Sequence, residues 1–364
     1  MKTLRQTQVL ARASAEVIDQ HRLTIAAKAR YLTEILPAIR KLEQSETEAS
    51  AGSLSSEQQA EFERRLSFWR EQIFKGDQIK FERRLNWDHI TSDMVQRILL
   101  QGDQIKPDDL PAWITTLEQI MEVAKGFRAE NYPDLPQPPE PVAFQDLYLP
   151  IIAVAQQQFT TQFAEYESLL SPESWETTYL ALLDAVAQIA TPTLMVLFEE
   201  LRATKGTLHR FFLTSVQQEP GTDLYRAFVE KHLTDGMASL FAEYSVLGRL
   251  MATLINLWVE ATSEFLGRLK HDWPLIERQF AAGQPLQRVT AIQPALSDPH
   301  EGRRMVAIVT FDNDLKVVYK PKPLSLAVTF NRLLEWCNQQ SKLLPLRYPE
   351  ILDRTDYGWV EFVN

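Results

Sequence analysis

The stretch Arg303-Arg304-Met305-Val306-Ala307-Ile308-Val309-Thr310-Phe311-Asp312-Asn313-Asp314-Leu315-Lys316-Val317-Val318-Tyr319-Lys320 decides the fold. Arg304–Phe311 and Leu315–Lys320 are rich in Val, Ile, Phe and Tyr, the residues that fit a pleated, half-buried surface. The acidic and amide trio between them is a hairpin turn, with Asn313 expected in the left-handed position. Pro321 and Pro323 end the second strand, because neither donates a backbone N–H. Ser325 then caps a helix whose expected buried face is Leu326, Phe330, Leu333, Leu334 and Cys337. Gly358–Val363 reads as a third strand. Hairpin, helix and further strand make a small α+β lobe over residues 286–364, incomplete at its C-terminal end.

Upstream the pattern is helical. Glycine is scarce, at 12 in 364 residues, and apolar residues recur every three or four positions. Leu247, Leu250, Leu254, Trp258, Ala261, Phe265 and Leu269 form one stripe, while Arg249, Glu260, Glu264 and Arg268 lie largely away from it. That is an amphipathic helix against a core, and it needs no ligand to explain its aromatics. Pro133, Pro136, Pro138, Pro139 and Pro141 exclude a helix interior and mark a linker at 133–143. It separates an N-terminal helical region, 1–132, from a central one, 144–285. Ser45–Ser56, small and polar, reads as a mobile loop. Two echoes, Phe62–Leu66 at Phe81–Leu85 and Gly76–Lys80 at Gly102–Lys106, have unequal separations and no third copy. They read as helix ends and turns, without a solenoid. The fold class expected is mainly α with a small C-terminal α+β lobe.

Composition narrows the function. With 45% hydrophobic and 24% charged residues the chain is an ordinary folded one. The net charge of -10 argues against a duplex nucleic-acid partner or an anionic membrane surface. The single Cys337 excludes an internal disulfide and a multi-thiolate zinc site, and reads as a small core hydrophobe. The start lacks the apolar core of a secretory signal. Tyr179–Phe198, the least polar stretch, carries Asp184 and Gln188 and is expected to break at Pro192, as buried helices and no membrane span. The expectation is a cytoplasmic protein.

Chemistry concentrates between Ser297 and Lys322. From Gln284 to Lys322, Arg288, Arg303, Arg304, Lys316, Lys320 and Lys322 outnumber Asp298, Glu301, Asp312 and Asp314, in a chain acidic overall. A hairpin over a nucleotide, with a strand-borne Lys on its phosphates, is how kinases hold ATP. Phosphate oxygens need a fixed cation and backbone donors in a water-poor cleft. The Gly-rich loop of protein kinases is absent, and Gly302 alone is a weak substitute. Against this stands the plainer reading, in which Lys320 is a solvated strand-end residue, Asp298 starts a turn and His300 is a surface histidine. His21, His89, His209, His232 and His271 show no metal-ligand spacing, so no metal site is expected.

Ser297-Asp298-Pro299-His300-Glu301-Gly302-Arg303, then Val317–Lys322, then Leu352–Val363, resemble the dehydratase domain of class II lanthipeptide (lantibiotic) synthetases of the LanM type. Phe144–Pro150, Tyr244–Leu250, Trp258–Leu269 and, near the front, Arg65-Leu66 with Trp69 extend the resemblance. It implies a lobe like the N-lobe of kinases, closer to lipid kinases, and an ATP-dependent enzyme acting on a ribosomal precursor peptide. Ser and Thr are phosphorylated, and phosphate is then eliminated to give dehydroalanine and dehydrobutyrine. By motif, Lys320 would contact ATP phosphates, Asp298 and His300 would serve elimination, and Arg303 is a phosphate contact by position. ATP and Mg²⁺ are the implied cofactors, with the Mg²⁺ ligands outside this chain. The large lobe with its Asp-x-His-x-x-Asn loop, and the zinc cyclase, have no counterpart here and are implied partners. The expectation is the N-terminal part of a dehydratase, inactive alone, from a truncated or split synthetase or an excised fragment. The alternative is a non-catalytic helical module that binds peptides.

Overall fold

The computed structural model describes residues 25–31, 34–36, 54–101, 110–212, 220–293, 302–340 and 344–363, the side chains of 101 and 205–222 excepted. The helices run in chain order as α1 (Ser56–Phe74), α2 (Gln78–Trp87), α3 (Ser92–Gln101), α4 (Trp113–Ala124) and α5 (Gln145–Phe163). They continue with α6 (Pro172–Phe212), α7 (Pro220–Thr234), α8 (Ala238–Glu243) and α9 (Ser245–Phe280). Then come β1 (Val289–Gln293), β2 (Ala307–Phe311), β3 (Lys316–Lys320), α10 (Ser325–Gln340), β4 (Ile351–Asp353) and β5 (Gly358–Glu361). The described chain is mainly helical, with a small antiparallel sheet towards its C-terminal end. Packing divides it into two units, Met1–Ile114 with Ala238–Arg249, and Thr115–Met237 with Leu250–Asn364.

In the first unit, Ser55 starts α1 through a capping box, its hydroxyl accepting from Gln58 N while the Gln58 side chain accepts from Ser55 N. Most of the expected loop at Ser45–Ser56 lies outside the described residues, and Ser56 is already helical. Leu36, Ile90, Met94 and Val95 form one core cluster, with Phe62, Leu66, Trp69 and Leu85 packed on it. The echo Phe62–Leu66 and Phe81–Leu85 therefore sits inside α1 and α2 and supplies inward faces, contrary to the expectation of helix ends. Of the second echo, Asp77 caps α2, and Gly102–Lys106 lies outside the described residues. Arg249 corrects the sequence reading too. It is buried, with Nη1 donating to Glu34 Oε2 (2.6 Å) and Nη2 to Glu34 Oε1 (2.8 Å). Its guanidinium lies 3.4 Å from the Tyr31 ring centroid. Helical periodicity marks a charged residue as outward, but a bidentate pair and a stacked ring satisfy the charge inside.

In the second unit, Phe159, Trp175, Tyr179 and Trp258 build an aromatic core among α5, α6 and α9. Residues 132–144 hold no helix, as the prolines demand. The expected break at Pro192 does not occur. α6 carries Pro192 inside it, at the loss of one helical hydrogen bond. By length and composition Pro172–Thr204 is apolar enough to cross a membrane, and 33% of its most apolar window is buried. Tyr179, Leu182, Leu183, Val186 and Leu194 are among its buried positions.

Among the described residues the sheet has five strands in the order β1-β2-β3-β5-β4, all neighbours antiparallel, so β3 is central. The predicted hairpin is β2–β3, but Asp314 takes the left-handed backbone (φ 63°) while the Asn313 side chain accepts from Leu315 N (3.1 Å). Strands β1 and β4 had no clear sequence signal. Ser171 N donates to Val289 O (2.8 Å), tying β1 to the start of α6. Helix α10 forms where predicted, but its face is not buried. Leu326 is 81% exposed, and Phe330, Leu333 and Trp336 are exposed too, while Leu334 and Cys337 are half-buried. The helix is held by side-chain amides instead, Asn331 donating to Pro349 O and Asn338 bonding both N and O of Leu346.

Candidate functional site

Side chains alternate along a strand, so each strand sends its residues to two faces. Val309, Phe311, Val317, Tyr319 and Trp359 are on the face that packs inward, four of them with no exposed surface. Tyr319 and Trp359 are register partners, and both rings contact Phe265 of α9. Ile308, Val318, Lys320 and Val360 belong to the opposite face.

The inner face is locked to α9 by polar groups. Trp359 Nε1 donates to Asp272 Oδ2 (2.9 Å), and Arg354 Nε lies 3.0 Å from Asp272 Oδ1. Arg268 Nη1 donates to the Tyr319 phenol oxygen (2.6 Å), and its guanidinium sits over the Tyr357 ring, 4.2 Å from the centroid. Burial raises the Tyr319 phenol above its usual range, with Arg268 opposing. Arg304 is fully engaged, with Nη2 2.5 Å from Glu264 Oε2 and 3.1 Å from Glu260 Oε1. Those bonds, with Arg268 adding its charge, hold the Glu264 carboxyl below the ordinary carboxylate range.

Arg303 stands beside this lock without sharing it. Gly302 and Arg303 both adopt left-handed backbone (φ 79° and 71°), which a side chain on Gly302 would strain. Arg303 Nε is buried with no hydrogen-bond partner among the described residues. Burial lowers its pKa, and no partner opposes the shift. The side chain lines a cleft of about 260 Å³ whose wall is largely apolar, including Leu182, Trp258, Phe265 and Met305, with Asp184 and Gln188 contributing polar atoms.

The sequence-predicted residues separate accordingly. Asp298 and His300 lie outside the described residues. Lys320, at the end of the central strand, is half-buried and makes no hydrogen bond or ion pair with any described residue. It belongs to the face opposite Tyr319, whereas Arg303 and Tyr319 line the same cleft. The structure therefore does not bring Lys320 and Arg303 into one cradle among the described residues. The residues that sequence reasoning missed are Glu264, Arg268 and Asp272 on α9. Their spacing of four places them along one helix face, a signal that charge alone concealed.

A family model described as a domain of unknown function (DUF4135) matches residues 244–364. The chain is also similar to the lacticin 481/lactococcin biosynthesis protein LcnDR2 of Lactococcus lactis subsp. lactis, with 28% identity over 153 residues. That match covers 38% of this chain and 16% of the Lactococcus protein, so the chain spans well under two thirds of its relative. The relationship is distant homology to a lantibiotic biosynthesis protein.

Proposed function

We propose that this chain is the N-terminal part of a lanthipeptide-synthetase-type dehydratase, contributing a kinase-like small lobe to ATP-dependent phosphorylation of Ser and Thr in a precursor peptide. The observation that carries the reading is Lys320, a cation on the central strand without a partner among the described residues, on the sheet face opposite the one packed on α9. A half-buried ammonium without a counter-charge is costly, and a nucleotide phosphate would supply that charge. The relative named for lantibiotic biosynthesis supports the pathway.

In this proposal Lys320 holds phosphate oxygens while the γ-phosphoryl group passes to a Ser or Thr hydroxyl. Asp298 and His300 then serve elimination. A base takes the α-proton, the Cβ–O bond breaks, phosphate leaves and the Cα=Cβ bond forms. Among the described residues no set of three or more His, Cys, Asp and Glu is placed to hold a metal ion. The test is Lys320→Ala in a synthetase reconstituted with this chain, with ATP affinity and peptide phosphorylation read together. ATP affinity is expected to fall by about tenfold or more, the scale of one charge-assisted contact. Phosphorylation is expected to be lost while peptide binding persists. Unchanged phosphorylation would remove Lys320 from the mechanism and favour a non-catalytic peptide-binding module.

A further inference from the structure

The cleft beside Arg303 has features that the nucleotide reading does not absorb. It lies against the sheet face opposite Lys320, and its wall is mostly apolar. Its volume of about 260 Å³ is of the order of a bulky side chain with its immediate backbone, at the small end of ligand sites. Two arginines line it, but they are not equivalent. Arg304 is fully engaged by Glu260 and Glu264. Arg303 is held in a left-handed backbone beside Gly302 and keeps a buried Nε with no partner among the described residues.

A guanidinium nitrogen withdrawn from water without a partner is costly, and an anion bound beside it would offset that cost. The remaining polar groups define what else the ligand carries. Gln188 Nε2 donates to Asp184 Oδ2 (2.7 Å), leaving carbonyl and carboxylate oxygens at the cleft as acceptors for backbone N–H groups. A free phosphate would satisfy Arg303 but would leave the apolar wall wet and the acceptor oxygens of Asp184 and Gln188 without donors. An extended peptide that sets a carboxylate beside a branched or aromatic side chain satisfies all three.

We infer that this cleft is a recognition site for a short peptide segment pairing an apolar side chain with an acidic one, the acid on Arg303 and the apolar group among Trp258, Phe265 and Met305. The inference deepens the reading above, since it supplies a place where a peptide substrate is gripped apart from the nucleotide face.

The experiment measures fluorescence anisotropy of two labelled, end-blocked tripeptides, Leu-Glu-Leu and Leu-Gln-Leu, against the whole chain without ATP. The Glu peptide is expected to bind about tenfold or more tighter than the Gln peptide, the scale of one charge-assisted hydrogen bond. Arg303→Gln is expected to abolish that preference and Arg303→Lys to keep part of it. Ala261→Phe, which fills the cleft, should weaken both peptides. Equal binding of the two peptides, a preference that survives Arg303→Gln, or no saturable binding overturns the inference. Inorganic phosphate that binds through Arg303 when neither peptide does would overturn it in favour of a simple anion pocket. If Arg303→Gln fails to fold, Arg303→Lys and Ala261→Phe decide. Lys320→Ala should leave peptide binding untouched, so failure here and failure of the kinase reading are told apart.

Discussion

Asp272→Ala tests whether the polar lock between α9 and the sheet stabilises the second unit. Asp272 has no exposed surface, and its Oδ2 accepts the indole N–H of Trp359, also without exposed surface. Removing the carboxylate strands that N–H in a dry interior, at a cost of about 1–3 kcal/mol. Arg354, on the other oxygen, keeps 30% of its side chain exposed and regains water, so its loss adds only about 0–1 kcal/mol. The sum is a loss of about 1–4 kcal/mol, or roughly 2–16 °C in Tm for a unit of this size. Asp272→Asn retains an acceptor for Trp359 and loses only the charge opposite Arg354, so it should cost about 0–1 kcal/mol. Urea unfolding followed by far-UV circular dichroism measures both. An alanine variant within about 0.5 kcal/mol of wild type would refute the lock, since that is the scatter of neutral surface changes. An asparagine variant as damaging as the alanine one would show that charge, and not the indole acceptor, dominates.

Three other outcomes are expected. Gly236→Ala places a Cβ against the Met121 carbonyl oxygen on a φ of +66°, and thermal melting should show a loss of about 2 kcal/mol or more, whereas an unchanged melt would contradict the close approach. Burial, with Lys231 assisting and Asp235 opposing, depresses the His232 pKa in the fold. The neutral ring beside Phe228 therefore contributes stability that is complete above the unfolded value of about 6.5 and is lost as pH falls through the lower folded value. An NMR titration midpoint at or above 6.5 would contradict this. Arg249→Lys keeps the charge but loses the two-pronged contact with Glu34 and the stack on Tyr31, and should cost about 1–3 kcal/mol by denaturant unfolding, with a neutral result refuting the buried pair.

The legible parts of the chain were those where local chemistry decides. The Asp312–Asp314 turn between two β-prone runs gave the hairpin, and the 3–4 periodicity along Leu247–Leu269 gave α9. Misreadings arose where long-range partners decide. Arg249 looks outward by periodicity until Glu34 and Tyr31, over 200 residues earlier, are brought to it. Strand β4 has three residues and exists because β5 lies beside it, a pairing that no local propensity announces. The apolar stripe of α10 promised burial, yet the helix is tethered through Asn331 and Asn338 on a different face. For the candidate site, residue types were readable and their faces were only half so. Alternation along β3 puts Tyr319 and Lys320 on opposite sides, but only the packing of α9 shows which side is the core.

That division of the central strand has a physical consequence. Tyr319 is bound into the core by Arg268, Phe265 and Trp359, so its position is fixed by many contacts at once. Lys320 follows it by one peptide bond and inherits that rigidity without contributing to it. A cation placed by a rigid strand loses less backbone entropy on meeting an anion than one on a loop. Arg303 gains its placement differently, through two consecutive left-handed residues braced by the Arg304–Glu264 pair. The two cations are thus positioned by independent means on opposite faces of one sheet. Changing one need not displace the other, so the proposed nucleotide and peptide contacts are expected to be lost separately.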